Sequence, residues 1–282
     1  MLSLMNDTLT TFASGHLSST NTGLGNVLFQ IAVAYGLAKK TNRILYFNHV
    51  HSFSEKLQRL FGFQHGQTIF RKCQTLAPIP ESEFVHVGER IEFFRAFDSD
   101  LVKQIQSEDS HVRLSGHLEC VEYFKDYRNE ILDLFSIDSQ SESFLRSTYP
   151  ALFDSTKTCI SVHFRVVNWD YKIGIDYYAQ ALNILLSLAN NPVVFIFSDD
   201  MEYTKTHYIS HIQFVKDVQL IYVQGNPDYI DLWCMSLCKY NILCHSTFSF
   251  WGAYLNQQPG KLAVVTQQTA RFFYHLENVY TV

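Results

Sequence analysis

Charge is scarce in this sequence: Asp, Glu, Lys and Arg make up 17% of its 282 residues, against 47% apolar types. That balance excludes a disordered chain, which needs much charge and few apolar side chains. Base is scarcer than acid, 22 residues against 27 for a net charge of −5. The pairs Lys39-Lys40 and Arg71-Lys72 are too short to form a basic stripe, so nucleic-acid binding is not expected. No run of about 18 or more apolar residues occurs, so no integral membrane segment is expected. Met1–Thr11 lacks the basic start and apolar stretch of a secretory signal. Cys-x-x-Cys is missing too. Cys73, Cys120, Cys159, Cys234, Cys238 and Cys244 read as reduced, structural thiols that behave as small hydrophobes. Cys234 and Cys238 are one helical turn apart, with no zinc-finger histidine spacing nearby. A reducing compartment, and hence a cytoplasmic location, is the expectation.

What is present suits a layered fold. At roughly 100–200 residues per domain, the length predicts two domains. Thr8–Ala13 reads as a strand, Gly23-Leu24-Gly25-Asn26 as a turn, Val27–Lys40 as a helix and Ile44–Phe47 as a strand. Leu28, Ile31, Ala32, Tyr35 and Ala38 recur at helical spacing. A helix is predicted over Glu55–Phe61, strands over Phe84–Val87 and Val112–Leu114, and a helix over Glu119–Phe135. Ser136–Thr158, polar and rich in serine, reads as a linker. The domains are accordingly placed at 1–148 and 149–282. In the second, strands are predicted at Cys159–Phe164, Pro192–Phe197, Leu220–Val223, Tyr240–Cys244 and Leu262–Thr266. Helices are predicted at Tyr177–Leu188, Asp228–Cys238 and from Ser246 to Leu255. This alternation implies an α/β fold with mostly parallel sheets, whose ligands bind at the carboxyl ends of the strands.

Four loops at those ends carry polar residues, and each has two readings. Gly23-Leu24-Gly25-Asn26 opens a helix, where bare glycines and free N–H groups admit a phosphate; a tight structural turn explains it as well. His163-Phe164-Arg165 ends a strand, and a guanidinium there suits a diphosphate or a surface ion pair. Ser198-Asp199-Asp200 offers carboxylates for a metal or a sugar hydroxyl, or for capping the next helix. No third oxygen-rich contributor accompanies it, so no metal is expected. His245-Ser246-Thr247-Phe248-Ser249 reads as a phosphate cradle at a helix start, or as a run of cap residues. The aromatic content of 15% suits a sugar-binding cleft and ordinary packing alike.

The order of these segments resembles the α-1,2-fucosyltransferases and, more distantly, the α-1,6- and protein O-fucosyltransferases. The resemblance rests on Gly23-Leu24-Gly25-Asn26-Val27-Leu28-Phe29-Gln30, on Leu114-Ser115-Gly116-His117-Leu118-Glu119 with Glu122-Tyr123-Phe124, and on Phe197-Ser198-Asp199-Asp200. It is strongest over Asp231–Leu255, which holds Met235-Ser236-Leu237-Cys238-Lys239 and Ser246-Thr247-Phe248-Ser249-Phe250-Trp251-Gly252-Ala253-Tyr254-Leu255. The family's donor motif, His-x-Arg-Arg-x-Asp, departs here: His163 and Arg165 are kept, Val166 replaces the second Arg, and Asp170 lies two residues further along. Val27 also replaces a Gln of the opening motif.

The resemblance implies two facing Rossmann-like domains of the GT-B type. The second domain binds GDP-fucose, a galactose-containing glycan is the acceptor, the anomeric centre is inverted, and no metal or other cofactor takes part. It assigns Arg165 to the β-phosphate, helped by Ser246, Thr247 and Phe248. Gly23, Gly25 and Asn26 approach the phosphates from the first domain. His163 lies near the nucleoside, Asp199 also lines the donor site, and Asp231 reads guanine. Asp170 is the preferred general base, with Asp176, Glu119 and Glu122 as other candidates. Other GDP-sugar transfer, or binding without catalysis, are the competing readings. A dinucleotide-dependent oxidoreductase fits poorly. The glycine loop lacks a third glycine, and Tyr46-Phe47-Asn48 stands where a ribose-binding acid belongs.

Overall fold

The computed structural model describes residues 8–11, 23–47, 65–73, 81–90, 96–167 and 173–282. The chain divides into two compact units, Met1–Ser136 and Ile137–Val282. The division falls at the head of the segment read as a linker, and that segment is largely ordered helix.

In the first unit, four parallel strands stand in the order β2-β1-β4-β3: β1 (Thr8–Thr11), β2 (Ile44–Phe47), β3 (Phe84–Gly88) and β4 (His111–Ser115). Helix α1 (Leu24–Thr41) connects β1 to β2 and is buried on nearly every side. Asn42 ends it in the left-handed conformation, with its N–H on the carbonyls of Ala38 and Lys39. Gly36 lets α1 press onto the turn Val121–Tyr123: a Cβ there would stand 2.2 Å from the Tyr123 carbonyl oxygen. That contact explains why Glu119–Phe135, predicted as one helix, is not one. It forms two 3-10 turns, Val121–Tyr123 and Lys125–Tyr127, and only then α3 (Arg128–Leu134). Helix α2 (Ser99–Ser107) was not predicted. Asp98 caps it, accepting from Asp100 and Leu101 N–H, and pairs with Arg90 through both carboxyl oxygens at 2.7 and 2.8 Å. The Arg90 guanidinium holds the Asp98 carboxyl below the usual range. The helix predicted at Glu55–Phe61 lies outside the described residues.

In the second unit, six parallel strands stand in the order β10-β9-β8-β5-β6-β7. They are β5 (Thr158–Phe164), β6 (Pro192–Ser198), β7 (Gln219–Tyr222), β8 (Tyr240–Ile242), β9 (Leu262–Val265) and β10 (Val279–Thr281), the last not predicted. β5 and β6 are buried on both faces, which is why they read as unbroken apolar runs. The pleat sorts them. Ile160, Val162 and Phe164 pack with Tyr177, Tyr178, Ala181, Leu182 and Leu185 of α5 (Ile175–Leu188). Ser161 and His163 point to the opposite face, covered by α7 (Asp228–Leu237) and α8 (Thr247–Tyr254).

The predicted linker holds α4 (Ser139–Thr148) and a 3-10 turn, Pro150–Phe153. Asp138 caps α4, and Glu142 pairs with Arg146 one turn on. α6 (Met201–His207), also unpredicted, is capped by Asp200. All six cysteines are free and buried. A buried network ties α7, β8 and the segment after α8. Asn241 donates to Ser161 Oγ (2.7 Å) and the Met235 carbonyl (2.8 Å), while Asn256 donates to Asn241 Oδ1 and the Cys238 carbonyl, both at 2.8 Å. Among the described residues, no helix is long and apolar enough to cross a membrane.

Gly36→Ala is expected to destabilise the protein by about 1–3 kcal/mol, the usual cost of overpacking. A fall in the denaturant midpoint checks it, and an unchanged midpoint would show that α1 does not need this approach.

Candidate functional site

The second sheet reverses direction between β5 and β8: the chain runs outward through β6 and β7, then returns to lay β8 on the other side of β5. Neighbouring strands whose connections leave in opposite directions open a crevice beyond their carboxyl ends, and ligands of such sheets bind there. The segments that emerge at this point are Arg165–Val167 after β5 and Leu243–Ser246 after β8.

Asp199, just past β6, organises the first of them. Its Oδ1 accepts from the Val166 N–H at 2.8 Å and its Oδ2 from the Val167 N–H at 3.1 Å, while Arg165 Nη1 lies 2.9 Å from Oδ2. A carboxylate that accepts two backbone N–H groups and pairs with a guanidinium is engaged by its own loop. Its work is to fix that loop and aim the guanidinium. Arg165 stays 44% exposed in its side chain. Its other N–H groups take no partner among the described residues, and are free for an anion in bidentate geometry. The neighbouring Asp200 serves as the α6 cap, accepting from Tyr203 N–H at 2.9 Å.

His163 lies at the end of β5, its ring edge-on to Phe248 with centroids 5.6 Å apart and its Nδ1 3.2 Å from Cys244 Sγ. Burial pushes its pKa down to about 4 and that of Cys244 up to about 12. Both groups are therefore neutral near pH 7. The pair contributes shape and a hydrogen bond, with no charge of its own.

After β8, Ser246 is the N-cap of α8, its Oγ accepting from the Phe248 N–H at 3.2 Å. Ser249 Oγ donates back to the carbonyls of Cys244 and Ser246, each at 3.1 Å. The capping reading of this segment is thus what the hydrogen bonds show, and a helix start capped in this way is also the kind of place where an anion can bind. Thr247 and Phe248 are half-buried in its first turn. Further along, a Cβ on Gly252 would approach Met235 Cβ to 2.8 Å, so the glycine sets how closely α8 lies on α7. Much of the Ser246–Leu255 motif thus serves packing: Phe250, Trp251 and Tyr254 are buried against one another.

Asp231 stands in the first turn of α7, where it accepts from Asn226 Nδ2 at 2.9 Å. Burial, with the nearby Asp228 adding to it, pushes its pKa up to about 7 despite that hydrogen bond. An acid held this far from its solution range at the ligand-binding edge of a sheet is a strong functional-site candidate. Sequence reasoning missed two residues behind it: Asn226 also donates to the Tyr149 hydroxyl at 2.8 Å. Gly225-Asn226-Pro227 signals only a turn, and Tyr149 lies 77 residues away along the chain, so neither could be paired with Asp231 by spacing.

The remaining candidates belong to other segments of the chain. Gly23, Gly25 and Asn26 belong to the first unit, at the start of α1, with Gly23 as its uncapped N-cap. Asp170 lies outside the described residues. Asp176 is exposed in the first turn of α5, whose N-cap is Gly174. In the first unit, Glu119 is buried with its carboxyl 4.0 Å from His117, and Glu122 pairs with Lys125 at 2.7 Å. Among the described residues, no group of three or more His, Cys, Asp or Glu is placed to hold a metal.

Residues 20–282 match the model of glycosyl transferase family 11. The chain belongs to that family and is a glycosyltransferase. It is 26% identical over 255 residues to an alpha-1,2-colitosyltransferase of Escherichia coli, covering 83% of this chain and 84% of the relative. It is 25% identical over 282 residues to the O-antigen biosynthesis glycosyltransferase WbnK of Escherichia coli, with 86% and 90% covered. Among solved structures, POFUT1 in complex with GDP-fucose has a TM-score of 0.54 at 12% identity, covering 92% of this chain and 97% of that one. A mutant of Arabidopsis thaliana FUT1 in complex with GDP has 0.53 at 11%, covering 89% and 69%. An E. coli ADP-heptose lps heptosyltransferase II has 0.51 at 10%, covering 98% and 90%. These likenesses are of fold: two α/β units with parallel sheets, of the GT-B type.

Asp231 makes a prediction about the protein without ligand. Its pKa is raised from 3.8 to about 7, so the fold favours the protonated acid. That contribution is complete below about pH 4 and is lost as pH rises to about 7. Asp231→Asn is therefore expected to gain stability over the parent across this window, with no further gain above it. Parallel thermal melts from pH 4 to 8 check it, and parallel curves for the two proteins would show that Asp231 titrates normally.

Proposed function

We propose that this glycosyltransferase acts in the cytoplasm without a metal. It transfers L-fucose, with inversion, from GDP-fucose to a hydroxyl of a glycan, O2 of a galactoside. The observation that carries the proposal is Arg165. Asp199 holds it at the β5–β8 crevice, in the segment that resembles the fucosyltransferase donor motif, with donors to spare. The relative named for α-1,2 transfer supports the linkage, and complexes of the same fold with GDP and GDP-fucose support the donor. The six free, buried thiols suit a reducing compartment.

In this reading an acceptor hydroxyl attacks C1 of fucose, the C1–O bond to the β-phosphate breaks, and GDP leaves with the electron pair. Negative charge grows on the β-phosphate. Preorganised donors stabilise that charge most where water is excluded. Arg165 supplies a permanent positive charge, and the start of α8 supplies N–H groups and a partial one. Asp170, the aspartate that follows the motif two residues beyond its usual place, takes the acceptor proton. Asp231 accepts from the guanine N1–H and N2–H edge, an arrangement that adenine does not offer. Since two donors are best met by a carboxylate, guanine binding draws Asp231 toward its ionised form.

A second reading has a specific observation behind it. The relative named as a colitosyltransferase makes colitose the alternative sugar, and a panel of sugar nucleotides with a galactoside acceptor separates the two.

Arg165→Ala is expected to lower turnover about 100–1,000-fold, as loss of one preorganised donor does. Near-parent steady-state rates in that variant would remove Arg165 from the mechanism. Calorimetric titration in EDTA is expected to show binding of GDP and GDP-fucose with ADP and UDP silent. Binding restored only by added Mn²⁺, or equal binding of ADP, would overturn the metal-free, guanine-specific site.

A further inference from the structure

The carboxyl of Asp231 does not stand alone. Asn226 Nδ2 bridges two acceptors, Asp231 Oδ1 at 2.9 Å and the Tyr149 hydroxyl at 2.8 Å. Tyr149 is itself fixed. It follows α4, is buried, and packs edge-on to Phe195 of β6, ring centroids 5.9 Å apart. The three residues come from three elements: the end of α4, the turn after β7 and the first turn of α7. The bridge uses one oxygen of the Asp231 carboxyl. The other takes no hydrogen bond among the described residues, and the residue is only partly buried. A carboxyl on a half-buried helix turn has a soft terminal torsion. Pinning one oxygen therefore decides where the second one points.

We infer that Asn226 and Tyr149 are positioning residues for base selection: Tyr149 holds Asn226, Asn226 holds Asp231 Oδ1, and the carboxyl is thereby aimed to read the amino edge of a purine nucleoside diphosphate. This rests on the reading of Asp231 as the guanine acceptor and adds the residues that make that acceptor selective. Neither touches the reacting atoms. Geometry favours this role over a merely structural one. A hydrogen bond that only closed the turn would go to backbone, whereas the Asn226 amide nitrogen donates to two side chains, one of them an acid at the ligand edge.

The test compares GDP with inosine diphosphate, which lacks the 2-amino group and so reports one hydrogen bond of the purine edge. Calorimetric dissociation constants are measured for the parent, Asp231→Asn, Asn226→Ala and Tyr149→Phe, each first shown by its thermal melt to be folded. The parent is expected to prefer GDP about 10-fold or more, the worth of a hydrogen bond to a charged group. Asn226→Ala is expected to bring that preference down to about 2-fold or less. Tyr149→Phe, which keeps the ring on Phe195 and removes only the oxygen, should reduce it by a smaller factor of about 3. If Asn226→Ala lowers both affinities equally and keeps the preference, or Tyr149→Phe matches the parent while Asp231→Asn abolishes the preference, the positioning role is overturned and the guanine reading survives. If Asp231→Asn keeps the preference as well, the guanine reading fails with it.

Discussion

The Asp199 carboxylate is the constraint on which the site depends. It stands at the end of one strand and grips the segment that leaves the next through two backbone N–H groups and one guanidinium. An ion pair at a partly exposed position adds little to stability, because water and salt screen it and ordering the side chains costs entropy. Its value here is geometric. The two backbone bonds fix where the chain goes after β5, and the third contact fixes which way Arg165 points. Preorganisation of this kind is what a charge-stabilising site requires, since a donor that must reorient at the moment of reaction loses much of its advantage.

Around that point the second unit is built to resist movement. β5 is covered on one face by the aromatic and aliphatic side chains of α5, and on the other by α7 and α8. The Asn241–Asn256 network satisfies buried amides across three elements, and a fully satisfied polar network favours one arrangement over its neighbours. Gly252 removes the side chain that would separate α8 from α7. The start of α8, capped by Ser246, is thereby seated on a rigid base beside the end of β5.

Two kinds of element escaped sequence reasoning. α2, α4 and α6 have clear caps in Asp98, Asp138 and Asp200, but each buries only two residues along its length. Their sequences are therefore mostly polar and read as loop. The segment Glu119–Phe135 erred the other way. It has helical spacing, yet Gly36 brings α1 against it, and Phe124 and Tyr127 leave the helical region. A contact between residues so far apart in the chain leaves no local trace. Asp199 shows the same limit at the site. Its place after a strand marked it as a candidate for binding, while its actual partners, Val166 and Val167 N–H, became visible only when β6 lay beside β5.

The sequence by itself determined the α/β alternation, the doubly buried strands of the second unit, the family and the identity of Arg165, Ser246 and Asp231 as candidates. Periodicity and motif order are local properties, and local physics suffices to read them. Only the tertiary structure decided which of these residues are free and which are occupied. It gave Asp199 to its own loop and Asp200 to a cap, left Arg165 with donors to spare, and set Asn226 and Tyr149 behind Asp231. Those outcomes depend on burial and on hydrogen bonds between strands and helices far apart in the chain. Desolvation and donor geometry are properties of a place in the fold, and no residue carries them in its name.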